Sequence, residues 1–138
     1  MLERVATLLP QRHKPGIPTD PKTTMGSLVS RMQLDKVQAY VASALDEGAR
    51  LVCGGKQPDD PALKDGFFYE PTVFADMRAD MRLAREEVFG PVMSVFKWDD
   101  EDVLFEQVNG VDFGLTGSIW TRSLDNAHRA AKRIQTGY

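Results

Sequence analysis

The chain predicts an α/β fold, built on a parallel sheet whose strands alternate with helices. Its second half reads strand, helix, strand, helix with short connections, an order that parallel pairing through a right-handed crossover satisfies. Its first half holds an amphipathic helix followed at once by a short apolar strand. No internal repeat, low-complexity tract or marked shift of composition divides the sequence, so residues 1–138 read as one piece.

The elements follow in order. Leu2, Val5, Leu8 and Leu9 recur at helical spacing, and Pro10 is expected to limit that helix. A proline-rich connector without periodicity runs from Pro15 to about Lys22. Ser30 and Gln33 form a capping-box pattern, in which the two side chains satisfy orphan backbone donors. Leu34, Val37, Val41, Ala44 and Leu45 then make one helical face, and Gly48 is a natural stop. Arg50 to Cys53 fits a short strand ending at Gly54-Gly55. Lys56 to Gly66 is a polar surface loop, and Phe67 to Phe74 is extended, with Pro71 marking an edge or a bulge.

Val92 to Trp98 reads as the next strand. Asp99, Asp100, Glu101 and Asp102 set acids at the N-terminus of the following helix, which suits its dipole; that helix runs to about Asn109 and Gly110. Leu115 to Thr121 supplies another strand. Ser123 caps a last helix with Leu124, Ala127, Ala131 and Ile134 facing inward.

Composition excludes several classes. Hydrophobic residues are 42% and charged residues 27%, which is ordinary for a globular chain able to bury somewhat over ~60% of its unfolded surface. A net charge of −3 argues against a nucleic-acid footprint, which needs a clustered basic face. No apolar run approaches the ~20 residues needed to span a bilayer, and no secretory signal opens the chain. One cysteine excludes an internal disulfide, so a cytoplasmic location is expected. His13 and His128 stand alone, without metal-ligand spacing. Cys53 closes a short strand far from any histidine, so it reads as a small hydrophobe and not a nucleophile. Neither a catalytic residue nor a metal site is assigned.

The most informative segment is Arg85-Glu86-Glu87-Val88-Phe89-Gly90-Pro91, two carboxylates and an aromatic residue set just before a strand. A carboxylate accepts hydroxyl hydrogen bonds strongly, as from a ribose, and an aromatic two residues on could wall off a planar ring. The bland reading is a solvated acidic pair beside a core phenylalanine.

This segment resembles the Glu-Glu-Ile-Phe-Gly-Pro signature of the NAD(P)-dependent aldehyde dehydrogenases. Three further stretches are similar to that family's motifs, in family order: Pro18-Thr19-Asp20-Pro21 with Met25 to Ser30, Gly66 to Val73, and Asn109 through Gly114 to Thr121. The resemblance implies a fragment of the catalytic domain, with the large cofactor-binding domain and the nucleophilic cysteine lying outside it. It implies NAD or NADP as cofactor and an aldehyde as substrate of the intact enzyme. Carried over by position, Glu87 would bind the hydroxyls of the ribose next to nicotinamide and Phe89 would pack at the nicotinamide end. Leu115 would border the nicotinamide or the cleft, with core packing as its plainer reading. Ser27 stands where the family usually has proline, and Val88, Phe113 and Thr116 also depart from its pattern.

Two functional readings follow. In the first, the chain is part of an oxidoreductase that turns an aldehyde into a carboxylic acid, and is inactive alone. In the second, it is a non-catalytic truncated subunit that self-associates or docks onto a full-length relative, because a piece cut from a larger domain exposes apolar surface and sheet edges.

Overall fold

Helix α1 covers Leu2–Arg12 in the computed structural model, which describes residues 2–137. It runs through Pro10 where a stop was expected: the ring removes one backbone donor, but the helix is mostly exposed and ends within two residues, so little packing opposes the defect. The connector after it is clasped on itself, with Gly16 N–H donating to the Met25 carbonyl at 3.0 Å and Met25 N–H to that of Lys14 at 3.1 Å.

Contacts divide the chain into two compact units, Met1–Phe96 and Lys97–Tyr138. In the first, α2 (Arg31–Asp46) starts at Ser30, whose hydroxyl accepts from Gln33 N–H. It stops at Gly48, whose φ of +89° is one that a side chain would oppose. Its inner face is Leu34, Val37, Tyr40, Val41 and Ala44. Tyr40 takes the place expected for Leu45, which stays exposed, because the ring reaches over the neighbouring loop.

Strands β1 (Arg50–Cys53), β2 (Thr72–Ala75) and β3 (Val92–Ser94) form one sheet in the order β1-β2-β3. The architecture is α/β, but the sheet is mixed, which corrects the parallel expectation: β1 pairs antiparallel with β2, and only β2 with β3 is parallel. A single 3-10 turn at Pro61–Leu63 and the loop around it return the chain antiparallel, so no helical crossover joins the first two strands. The ladder breaks between Leu51 and Cys53. Strand β2 is buried along its whole length and packs with α2, Tyr69, Met77, Met81 and Leu83. Thr72, fully buried, shows why a threonine stands in this run: its hydroxyl donates to the Glu70 carbonyl and accepts from Gly55 N–H, both at 2.8 Å. Strand β3 is shorter than Val92–Trp98, since β2 offers it partners only as far as the Phe74 carbonyl, which takes Val95 N–H.

The second unit contains α4 (Glu101–Asn109) and α5 (Leu124–Arg133), α3 being the short Arg82–Arg85 turn of the first. Ser123 caps α5 as its sequence suggested, and Asp100, read there only as one of four acids suited to the dipole, caps α4. The expected strand Leu115–Thr121 does not form. A strand exists only in a ladder, and among the described residues no segment pairs with it. Nor does α5 bury Leu124, Ala127, Ala131 and Ile134: Ala127 and Ile134 are half-buried, Leu124 and Ala131 exposed. Polar contacts hold α5 to α4 instead. Arg129 donates to both oxygens of Glu101 at 2.8 and 3.0 Å, and Arg133 lies 4.3 Å from the Phe105 ring centre. Asn109 bridges the helices, donating to the Arg133 carbonyl and accepting from Gln135 N–H.

Candidate functional site

The loop from α3 to β3 carries two of the three residues singled out in the sequence. Helix α3 closes at Glu86, where the backbone turns extended, with φ −117° and ψ 151°. Val88 packs on the core, while Glu87 and Phe89 face solvent, Phe89 at 72% exposure. Phe89 adopts φ +52°, a left-handed conformation that costs a side-chain-bearing residue about 1–2 kcal/mol and persists only where neighbours impose it.

The neighbours that impose it lie on α2. Gln33, Lys36 and Tyr40 follow one another at helical spacing on the same face. Gln33 Nε2 donates to the Val88 and Phe89 carbonyls at 2.8 and 2.9 Å. Lys36 Nζ donates to the Glu87 carbonyl at 3.2 Å. Tyr40 donates its hydroxyl to Glu86 Oε2 at 2.6 Å. Gly90 is needed where the loop meets the helix, because a Cβ there would stand 2.5 Å from a Val37 methyl. Four consecutive residues of the loop are thus held from one helix. The sequence reading took Gln33 only as a capping residue and missed Lys36 and Tyr40; their signal is no more than a tyrosine and polar residues set along α2.

The electrostatics separate the two acids. Glu86 is bonded to Tyr40 and, at 3.2 Å, to Arg82, and these bonds hold its carboxyl below the usual carboxylate range. The same contact pushes the Tyr40 hydroxyl up. Among the described residues no hydrogen bond or ion pair engages the Glu87 carboxylate. The arrangement therefore offers an unengaged acceptor and an exposed aromatic ring on a backbone that cannot relax, which suits a ligand with hydroxyls and a planar group. Beside it lies an open groove of about 260 Å³ lined by Met25, Gly26, Ser27, Leu28, Tyr69, Gly90 and Pro91.

The third singled-out residue, Leu115, belongs to the second unit and is 74% exposed, so core packing does not describe it. Cys53 is half-buried, and its burial pushes the thiol up, away from the thiolate that a nucleophile requires. Among the described residues no cluster of His, Cys, Asp and Glu could hold a metal ion. No helix of these residues is long and apolar enough to cross a membrane.

The aldehyde dehydrogenase tropH of Talaromyces stipitatus is 50% identical over 141 aligned positions, covering 100% of this chain and 27% of that protein. A betaine aldehyde dehydrogenase of Mesorhizobium japonicum is 48% identical, covering 88% of this chain and 25% of that protein. Among solved structures, a Mycobacterium tuberculosis aldehyde dehydrogenase complexed with NAD+ superposes with a TM-score of 0.90 at 38% identity, over 99% of this chain and 28% of that one. A betaine aldehyde dehydrogenase of Staphylococcus aureus in complex with NAD+ gives a TM-score of 0.90 at 33% identity, covering 98% of this chain and 27% of that one. The chain thus spans about a quarter of the length of the relatives it matches. The profile of the aldehyde dehydrogenase family matches residues 1–138 throughout, and the chain belongs to that family.

Proposed function

We propose that this chain is the part of an aldehyde dehydrogenase catalytic domain that holds the ribose next to nicotinamide, Glu87 accepting its hydroxyls and Phe89 lying against the nicotinamide end. One observation carries the reading: the loop is pinned through its carbonyls and through Glu86, while the Glu87 carboxylate and the Phe89 ring are left to solvent. The intact protein oxidises an aldehyde to a carboxylic acid, and NAD or NADP, when bound, supplies the hydride acceptor. Residues 1–138 form part of that domain; the pyrophosphate and adenine sites and the nucleophilic cysteine belong to the rest of the polypeptide. Leu115, on the second unit, is a cofactor-contact candidate of lesser weight, carried by its place in the family motif. The single cysteine suits a reducing compartment such as the cytoplasm.

The chain alone is accordingly inactive as a dehydrogenase. One charge-assisted contact to a dinucleotide gives no better than about millimolar affinity. A nitrogen–proton NMR titration with NAD+ tests this, with shifts expected at Glu87 and Phe89 and lost in Glu87→Gln. Unchanged shifts in that variant remove Glu87 from the site. Steady NADH production by purified Cys53→Ala protein would contradict the inactive state.

A second observation favours association in addition. Phe113 at 51%, Leu115 at 74% and Trp120 at 94% exposure place apolar side chains in water along one irregular stretch of the second unit. Such a stretch is stabilised by a covering, which the rest of the domain supplies in the intact protein and a second copy of the chain supplies without it. Sedimentation velocity reads this directly: a monomer at all concentrations, alone and mixed with a full-length relative, removes the proposal.

A further inference from the structure

Glu86 and Glu87 are adjacent, alike in charge and length, yet the structure treats them in opposite ways. The Glu86 backbone is extended, so its side chain and that of Glu87 project from opposite sides of the chain. One of the two can therefore turn toward the donors at this corner, Lys36 and Tyr40 on α2 and Arg82 on α3. Lys36 Nζ donates to the Glu87 carbonyl. The Tyr40 hydroxyl and Arg82 both converge on one oxygen of Glu86, at 2.6 and 3.2 Å. Tyr40 cannot follow another partner easily: it is 3% exposed, and the Arg82 guanidinium sits 4.4 Å from its ring centre.

We propose that Tyr40 is a positioning residue for Glu87, holding Glu86 against α2 and so fixing the side from which Glu87 presents its carboxylate to a ligand bearing vicinal hydroxyls. The inference rests on the reading of Glu87 as the ribose contact. Without the Tyr40 hydroxyl Glu86 keeps only its contact with Arg82, and the backbone that carries Glu87 is held for only part of the time.

The test uses the isotope-labelled chain and two NMR readouts: the couplings that report the backbone φ of Glu86 and Glu87 without ligand, and amide shifts during titration with NAD+. Tyr40→Phe keeps the ring, its packing and the Arg82 contact, and removes only the hydroxyl. It is expected to move the Glu86 and Glu87 couplings toward an average and to weaken the apparent Kd for NAD+ by about threefold or more. Glu86→Gln, which keeps an acceptor oxygen for Tyr40, is expected to retain the parent couplings, and Glu86→Ala to lose them. The last variant also probes the contact from its other end should Tyr40→Phe not fold. Loss of stability alone would leave the Glu87 couplings unmoved. Unchanged couplings and NAD+ shifts in Tyr40→Phe, with binding abolished in Glu87→Gln, overturn the role of Tyr40 and keep the ribose contact. NAD+ shifts that persist in Glu87→Gln overturn the ribose contact itself, and with it the ligand that Tyr40 is said to serve.

Discussion

Gln33 Nε2 donates to both the Val88 and the Phe89 carbonyl, so one amide on α2 holds two consecutive peptide groups 55 and 56 positions further along the chain. This contact sets the left-handed turn at Phe89, because relaxing that residue toward an ordinary conformation would swing its carbonyl off the shared donor. Gln33→Ala removes both bonds. It is expected to lower stability by about 1–2 kcal/mol in urea unfolding. A loss within about 0.5 kcal/mol, the level of an ordinary surface substitution, would show that the turn holds without it.

Phe89→Gly is expected to behave unlike truncation of a core aromatic, which costs about 3–5 kcal/mol. The ring is largely exposed, so little burial is lost. Relief of the strained φ, roughly 1–2 kcal/mol, is offset by the greater freedom of glycine in the unfolded chain, roughly 0.5–1 kcal/mol. Thermal and urea unfolding should therefore place the variant within about 1 kcal/mol of the parent, while NAD+-induced shifts at the loop disappear. A loss above about 3 kcal/mol would mean that the ring packs as core.

Thr72→Val changes almost no volume, yet it deletes an acceptor for Gly55 N–H and a donor to the Glu70 carbonyl in a fully buried place. The expected cost is about 1–3 kcal/mol, the penalty for stranding buried polar groups. Thr72→Ser, which keeps the hydroxyl, should retain both bonds and lose only a methyl. Equal effects in the two variants would show that packing, and not hydrogen bonding, accounts for the threonine.

The α4–α5 pairing should depend on pH in a definite sense. Arg129 holds the Glu101 carboxyl below its ordinary range through their hydrogen bonds. A depressed carboxyl contributes stability that is complete above its unfolded value and is lost as pH falls through the folded one. Amide exchange in α5 should therefore quicken, relative to intrinsic rates, as the solution is acidified below the ordinary carboxylate range. Glu101→Gln should flatten that dependence. The same acidification protonates Glu86, whose carboxyl Tyr40 and Arg82 hold low, so the loop signals should move over the same window.

Much of this molecule is legible residue by residue. Ser30, Asp100 and Ser123 cap helices because their side chains satisfy donors two or three positions away, and Gly48 ends α2 for an equally local reason. The strand Arg50–Cys53 was also readable, from its apolar run and the glycines behind it. Glu87 and Phe89 stood out because a family signature carries them, and the folded chain leaves both exposed. Gln33 was misread in part: its backbone joins the cap at Ser30, but its amide leaves the expected local partner for carbonyls that only the folded chain brings near. Tyr40 was passed over for the same reason, since its partner is remote in sequence.

The sequence alone determined the family, the starts of the helices at Ser30 and Ser123 and the stop at Gly48, because these depend on local donors and motif order. The tertiary structure decided the direction of each strand, the absence of a ladder at Leu115–Thr121, and the grip of α2 on the Glu86–Phe89 loop. Strand pairing and long-range hydrogen bonds are made between segments distant in the chain, and their geometry exists only once the backbone has folded.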